Sequence, residues 1–300
     1  MRNVSRNPLV TVAITCCNEK DYLERAVASA RSQTYPNIEI VISDAGSVDG
    51  TAETLKGMEA RKEAKVLFHH AGSATKFDNW EDLIAASGGE FILLLTAKHI
   101  LYPNCIEQLI APHLTDSRLG YVRACMVWRH TDDTRQAMVP AMFSGRQSSR
   151  KELTKLFRGN VSETISTLYR AEALRKALPI DRRLGRSFMW KINAILAQAG
   201  PVYFLNVDVA EWIAEANRDV VISKTQELSS ELVLLYDELG KLAVSSGLKI
   251  NVEKFRKQMA AQVALVSKLS DAHPKNWRSY LISLLRQMIF RPGCKPTFVK

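Results

Sequence analysis

The sequence predicts an α/β protein, with a mostly parallel sheet flanked by helices and a helical C-terminal extension. Three observations carry that expectation. Short β-branched runs alternate with segments of helical period through the first hundred residues. Most of these runs end in turns rich in Asn, Asp and Gly. Beyond about residue 220 only the helical period remains.

The elements follow in order. LVTVAIT (9–15) is a first buried strand, and Tyr22, Leu23, Ala26, Val27 and Ala30 then fall on one helical face. IEIVIS (38–43) is a second strand, ended by the turn DAGSVDGT. TAETLKGMEARKE reads as a helix and KVLFHH (65–70) as a third strand. Asp78 and Glu81 have the spacing of a capping pair for NWEDLIAAS, which Gly88-Gly89 ends before the fourth strand, EFILLL. After Pro103 the alternation loosens. GYVRACMVWR (120–129) and PVYFLNVDV (201–209) read as strands, separated by the polar loop FSGRQSSRK (143–151) and helical segments. The chain then divides into residues 1–220, with halves 1–105 and 106–220, and a helical extension, 221–300.

Composition narrows the function. Lys and Arg number 41 against 31 Asp and Glu, so the net charge of +10 favours an anionic partner: nucleotide phosphate, acidic membrane surface or nucleic acid. The basic residues are dispersed and no nucleic-acid recognition motif is present, which argues against nucleic acid. Cys16, Cys17, Cys105, Cys125 and Cys294 form no CxxC pair, as expected of reduced thiols in a cytoplasmic protein. The first ten residues lack the apolar run of a signal peptide, and FILLL is too short to span a bilayer. In NWRSYLISLLRQMIF, Leu281, Leu284, Leu285, Met288 and Ile289 recur at helical spacing among arginines. Residues 276–290 thus suit a peripheral anionic membrane surface, or packing on the domain or on a second copy.

Three stretches carry a family resemblance. The first is VTVAITCCNEKDYLERAVASARSQTYPNIEIVISDAGSVDGT, the second FDNWEDLIAASGGEFILLL, the third TAKHILYPNCIEQL. In order and separation they resemble family 2 glycosyltransferases of the GT-A fold. The resemblance implies a nucleotide-diphosphate sugar donor. Asp44 then stands where the family places a carboxylate against the base, and a carboxylate accepting an imide N–H selects uracil or thymine, hence a UDP or TDP donor. Thr15, Cys17, Asn18 and Glu19 would line the neighbouring turn, with Cys17 in place of the usual Tyr.

The family also implies Mg²⁺ or Mn²⁺ held by a D-x-D element, whose acidic positions correspond here to Thr96, Lys98 and His99. Two readings stand open. Lys98 and a protonated His99 replace the metal as fixed positive charge, or the strand tip is a solvated turn that has lost its acids. The family places a catalytic base ahead of a Trp-containing helix. Around Trp190 no carboxylate occurs, which leaves Asp208 and Glu211, with Asp181 behind them. The expected function is sugar transfer to a glycan or lipid-linked acceptor in assembly of a cell-surface polysaccharide, lipopolysaccharide or glycolipid. The alternative is an inactive GT-A-fold protein serving as a nucleotide-sugar sensor or partner.

Overall fold

The computed structural model describes residues 7–69, 75–130, 135–137, 144–157, 164–214, 218–257 and 260–261. The first half is built as the alternation predicts. β1 (Val10–Cys16) is followed by α1 (Lys20–Arg31), β2 (Ile38–Asp44), α2 (Thr51–Ala60), β3 (Lys65–Phe68), α3 (Lys76–Ala86) and β4 (Phe91–Thr96). β1 is buried along its whole length and β4 up to its last residue, which is why they read as continuous apolar runs. Their neighbours are parallel, in the order β3-β2-β1-β4.

β5 (His99–Leu101), α4 (Cys105–Thr115), β6 (Tyr121–His130), β7 (Arg135–Ala137), β8 (Gly145–Gln147) and α5 (Ser149–Leu156) come next. They lead to β9 (Thr167–Arg170), α6 (Ala171–Lys176), α7 (Phe188–Ala199), β10 (Val202–Ala214) and α8 (Arg218–Ser245). The sheet continues β4-β9-β6-β10-β5, with β7 beside β6 and β8 beside β10. β9 is antiparallel to both β4 and β6, so β6 and β10 again run with β1 and β4. The strand expected at 201–209 extends to Ala214, because its upper half gains β5 as an antiparallel partner.

Helices cover both faces. α1 and α4 bury Val27, Leu23, Leu109 and Ile106 against Val12, Ile14, Leu93 and Leu95. On the other face Leu83 and Ile84 of α3, Trp190 of α7 and Leu235, Tyr236 and Leu239 of α8 join Ala13, Val41, Ile92 and Leu94 in one cluster. Successive residues along each strand alternate between the two sets, as the pleat requires.

One local expectation is corrected. The cap of α3 is Thr75, whose hydroxyl accepts from the Asp78 N–H while the Asp78 carboxylate accepts from the Thr75 N–H. Glu81 is not part of it: its Oε1 accepts from the Ile180 N–H at 2.6 Å. At the far end Gly89 lets α3 turn into β4 hard against β1, where a Cβ would meet the Thr11 nitrogen and the Leu9 carbonyl. Among the described residues no helix is long and apolar enough to cross a membrane. The amphipathic segment 276–290 and His70 lie outside the described residues.

Candidate active site

Parallel strands bring their C-terminal ends to one edge of a sheet, where ligands of α/β proteins bind. Here Cys16 and Asp44 are register partners at the ends of β1 and β2, while Thr15 pairs with Ser43 on one side and Thr96 on the other. The residues singled out in the first half, Thr15, Cys17, Asn18, Glu19, Asp44, Thr96, Lys98 and His99, therefore gather at one edge.

The turn after β1 is locked to the turn after β2. Asn18 takes a left-handed conformation, φ 54°, which Asn tolerates better than most side chains. Its N–H donates to Ser47 Oγ at 2.8 Å, and its Oδ1 accepts from the Val48 N–H at 2.8 Å. Asp49 accepts from the Lys20 N–H and from the Thr51 N–H, joining the starts of α1 and α2. Asp44 is 1% exposed, and its carboxylate accepts from the Ser47 N–H at 3.2 Å and the Ser47 hydroxyl at 2.5 Å. Two oxygens offer about four acceptor sites, so Ser47 leaves part of that capacity. Cys17 is exposed at this turn. Partial burial, then the charges of Asp44, Glu19 and Asp49, push its thiol pKa up. A negative potential surrounds it.

The tip of β4 differs from the expectation. His99 is 8% exposed, and its Nδ1 accepts from the Thr96 N–H at 2.9 Å while its ring meets the edge of Trp212. Burial lowers its pKa to about 3, so the imidazole is neutral with its proton on Nε2. The reading of His99 as a cation is thereby corrected: it builds the turn. Lys98 is half-buried with its ammonium 5.1 Å from the centre of the Tyr22 ring, on the first turn of α1. Its carbonyl accepts from the Ile213 N–H at 3.0 Å, which ties the tip to β10.

This donor set does not fit the metal that the D-x-D resemblance implies. Mg²⁺ and Mn²⁺ take carboxylate, carbonyl and water oxygens, whereas these positions present a hydroxyl, an ammonium and a buried neutral imidazole whose Nδ1 is engaged. Among the described residues no group of three His, Cys, Asp or Glu side chains could hold a metal.

On β10, Glu211 lies opposite Ile100 in the ladder, next to the tip, and is 4% exposed. It forms an ion pair with Arg129 at 3.1 Å. Asp208 is exposed between two register shifts lower on β10, and Asp181 is bonded to Arg183 and Lys191. Trp190 is core, its Nε1 donating to the Leu156 carbonyl. Three residues at this edge carried no assignment from sequence. Ser47 orders Asp44, Tyr22 faces Lys98, and His69 places its N–H on the Asp44 carbonyl and its Nε2 3.1 Å from Ser43 Oγ. Ser47 was legible inside DAGSVDGT; the other two depend on which strands become neighbours.

Residues 11–177 match the model of one family, "Glycosyl transferase family 2". An uncharacterised glycosyltransferase of Nostoc sp. is 26% identical over 176 residues, 57% of this chain and 54% of that protein. The hyaluronan synthase of Pasteurella multocida is 26% identical over 121 residues, 40% of this chain and 12% of that one. The chain thus spans about half the length of the Nostoc relative and much less of the synthase. In fold it is similar to S. aureus TarS 1–349 in complex with UDP (TM-score 0.55, 13% identity, 97% of this chain and 94% of that one). It is also similar to the mannosyltransferase PcManGT from Pyrobaculum calidifontis in complex with GDP-Man and Mn²⁺ (TM-score 0.57, 14% identity, 95% and 86%).

Proposed function

Because the chain belongs to glycosyl transferase family 2, we propose that it transfers a sugar from a nucleoside-diphosphate donor of the UDP or TDP type without a divalent metal. The acceptor is a glycan or lipid-linked saccharide in assembly of a cell-surface polysaccharide or glycolipid, on the cytoplasmic side of the membrane. The observation that carries the reading is the placement of a buried carboxylate, Asp44, and an ammonium, Lys98, at the ends of the two strands flanking β1.

The two groups divide the work by charge. Asp44 accepts the imide N–H of the base, with Thr15, Asn18 and Glu19 beside it. Lys98 lies against the diphosphate and stabilises the negative charge that grows on it as the glycosidic bond breaks. Tyr22 holds that ammonium in place. Glu211 lies next to the tip, where its ion pair with Arg129 orients it. Complexes of TarS with UDP and with UDP-GlcNAc support a nucleotide-sugar donor for this fold.

The test is release of nucleotide from UDP-, TDP- and GDP-sugars by the full chain in EDTA. UDP or TDP release is expected. Asp44→Asn is expected to weaken donor binding by about 10- to 100-fold, the worth of one charge-assisted hydrogen bond. No release from any donor, with nucleotide binding retained, would instead establish the inactive, donor-binding alternative.

A further inference from the structure

The segment between α6 and α7 is gripped from two sides. On one side Glu81 of α3 accepts from the Ile180 N–H, and Arg182 pairs with Asp78. On the other stands α8. Lys191, in the second turn of α7, lies between Asp181 at 3.1 Å and Glu238 of α8 at 2.8 Å, with all three side chains mostly buried. Ser187 donates to Glu231 of α8 at 3.5 Å. Gly185 has φ 51° and ψ −113°, open only to glycine, and a Cβ there would run into the Glu231 carboxylate. Tyr236 completes the contact, its hydroxyl donating to the Phe157 carbonyl and its ring meeting Trp190.

The gripped segment lies at the ligand edge. The C-terminus of α7 meets the start of β6, where the Gly120 N–H donates to the Pro201 carbonyl, so its first turn is at the opposite edge. Consistently, Phe188 packs on Phe77 and Trp80 in the first turns of α3, which follows the end of β3. Arg183 and Lys191 hold the Asp181 carboxyl far below the usual carboxylate range, and Lys191 and Lys241 lower that of Glu238. Both carboxylates stay charged at neutral pH.

We propose that α8 is a clamp on the Ile180–Ser187 segment, holding the first turn of α7 in place at the acceptor side of the ligand edge, with Lys191 as its positioning residue. The catalytic limb of this proposal rests on the transferase reading; the structural limb does not.

The full chain carrying Lys191→Met, Lys191→Arg or Glu238→Gln is compared with wild type by hydrogen–deuterium exchange and by nucleotide release from UDP-GlcNAc. In Lys191→Met and Glu238→Gln, exchange over 181–190 is expected to accelerate by about 10-fold, with 10–50 unchanged. The kcat for release is expected to fall by about 10-fold with the donor KM within about twofold, because donor binding is untouched. Lys191→Arg, which keeps both ion pairs, is expected to restore each. Unchanged exchange and kcat, or a uniform rise in exchange across the chain, would overturn the proposal. If wild type releases no nucleotide from UDP-GlcNAc or from any other UDP- or TDP-sugar, the transferase reading fails, and the exchange pattern still decides whether the clamp exists.

Discussion

His99 directs its Nδ1 at the Thr96 amide and is shut off from water, so its pKa falls to about 3; burial does the same to His113. A folded value below the unfolded one, about 6.5, means that between those values the unfolded chain binds protons that the folded chain refuses. Both histidines therefore favour folding fully above about pH 6.5, and that contribution is lost as pH falls towards 3. Calorimetric melting is expected to show a Tm that declines from pH 7 to pH 5, and less so in His113→Gln. Affinity for a UDP- or TDP-sugar, whose diphosphate diester does not titrate in this range, is by contrast expected to be flat from pH 8 to pH 6, since His99 has no charge to lose. A binding limb centred near pH 6.5 would contradict the neutral imidazole.

At the scale of elements, a buried ion pair joins β6 to α5 in the second half of the sheet. Arg123 of β6 and Glu152 of α5 pair at 3.0 Å with almost no exposure, the guanidinium stacked 4.6 Å from the Phe204 ring centre and Tyr121 donating to the same carboxylate. Removing one partner of such a pair strands the other charge away from water. Glu152→Gln is expected to cost about 3 kcal/mol in urea unfolding, of the order found for broken buried pairs. A loss under about 1 kcal/mol would mean that water reaches Arg123. Such pairs are also why this half was less legible in sequence. β1, β2 and β4 announce themselves as apolar runs with turn residues at their ends. β5, β7 and β8 have only three residues each and β9 has four; β7 pairs with β6 just before it, and the other three owe their existence to antiparallel partners distant in the chain. α3 shows the same limit in miniature: an acidic pair at capping distance was visible, but Glu81 is turned to Ile180, a partner no local pattern reveals.

For the whole molecule, the sequence showed that β1 to β4 form a mostly parallel sheet, because strands alternate with helices, but not their order, β3-β2-β1-β4. It left open whether Lys98 and His99 act alike, because burial of an imidazole is a property of the packed tip, with Trp212 arriving from β10. It also left the catalytic carboxylate open between Asp208 and Glu211; the ladder sets Glu211 beside the tip and Asp208 away from it. In the proposed reaction Lys98, two residues past the end of β4, does the work of a metal. Titration of UDP into the full chain by calorimetry, in EDTA and in Mn²⁺, for wild type and Lys98→Ala, tests it most directly. Equal affinity in EDTA and Mn²⁺ is expected for wild type, and about 10- to 100-fold weaker binding for Lys98→Ala in both. Binding that requires Mn²⁺, or that survives Lys98→Ala unchanged, would contradict it.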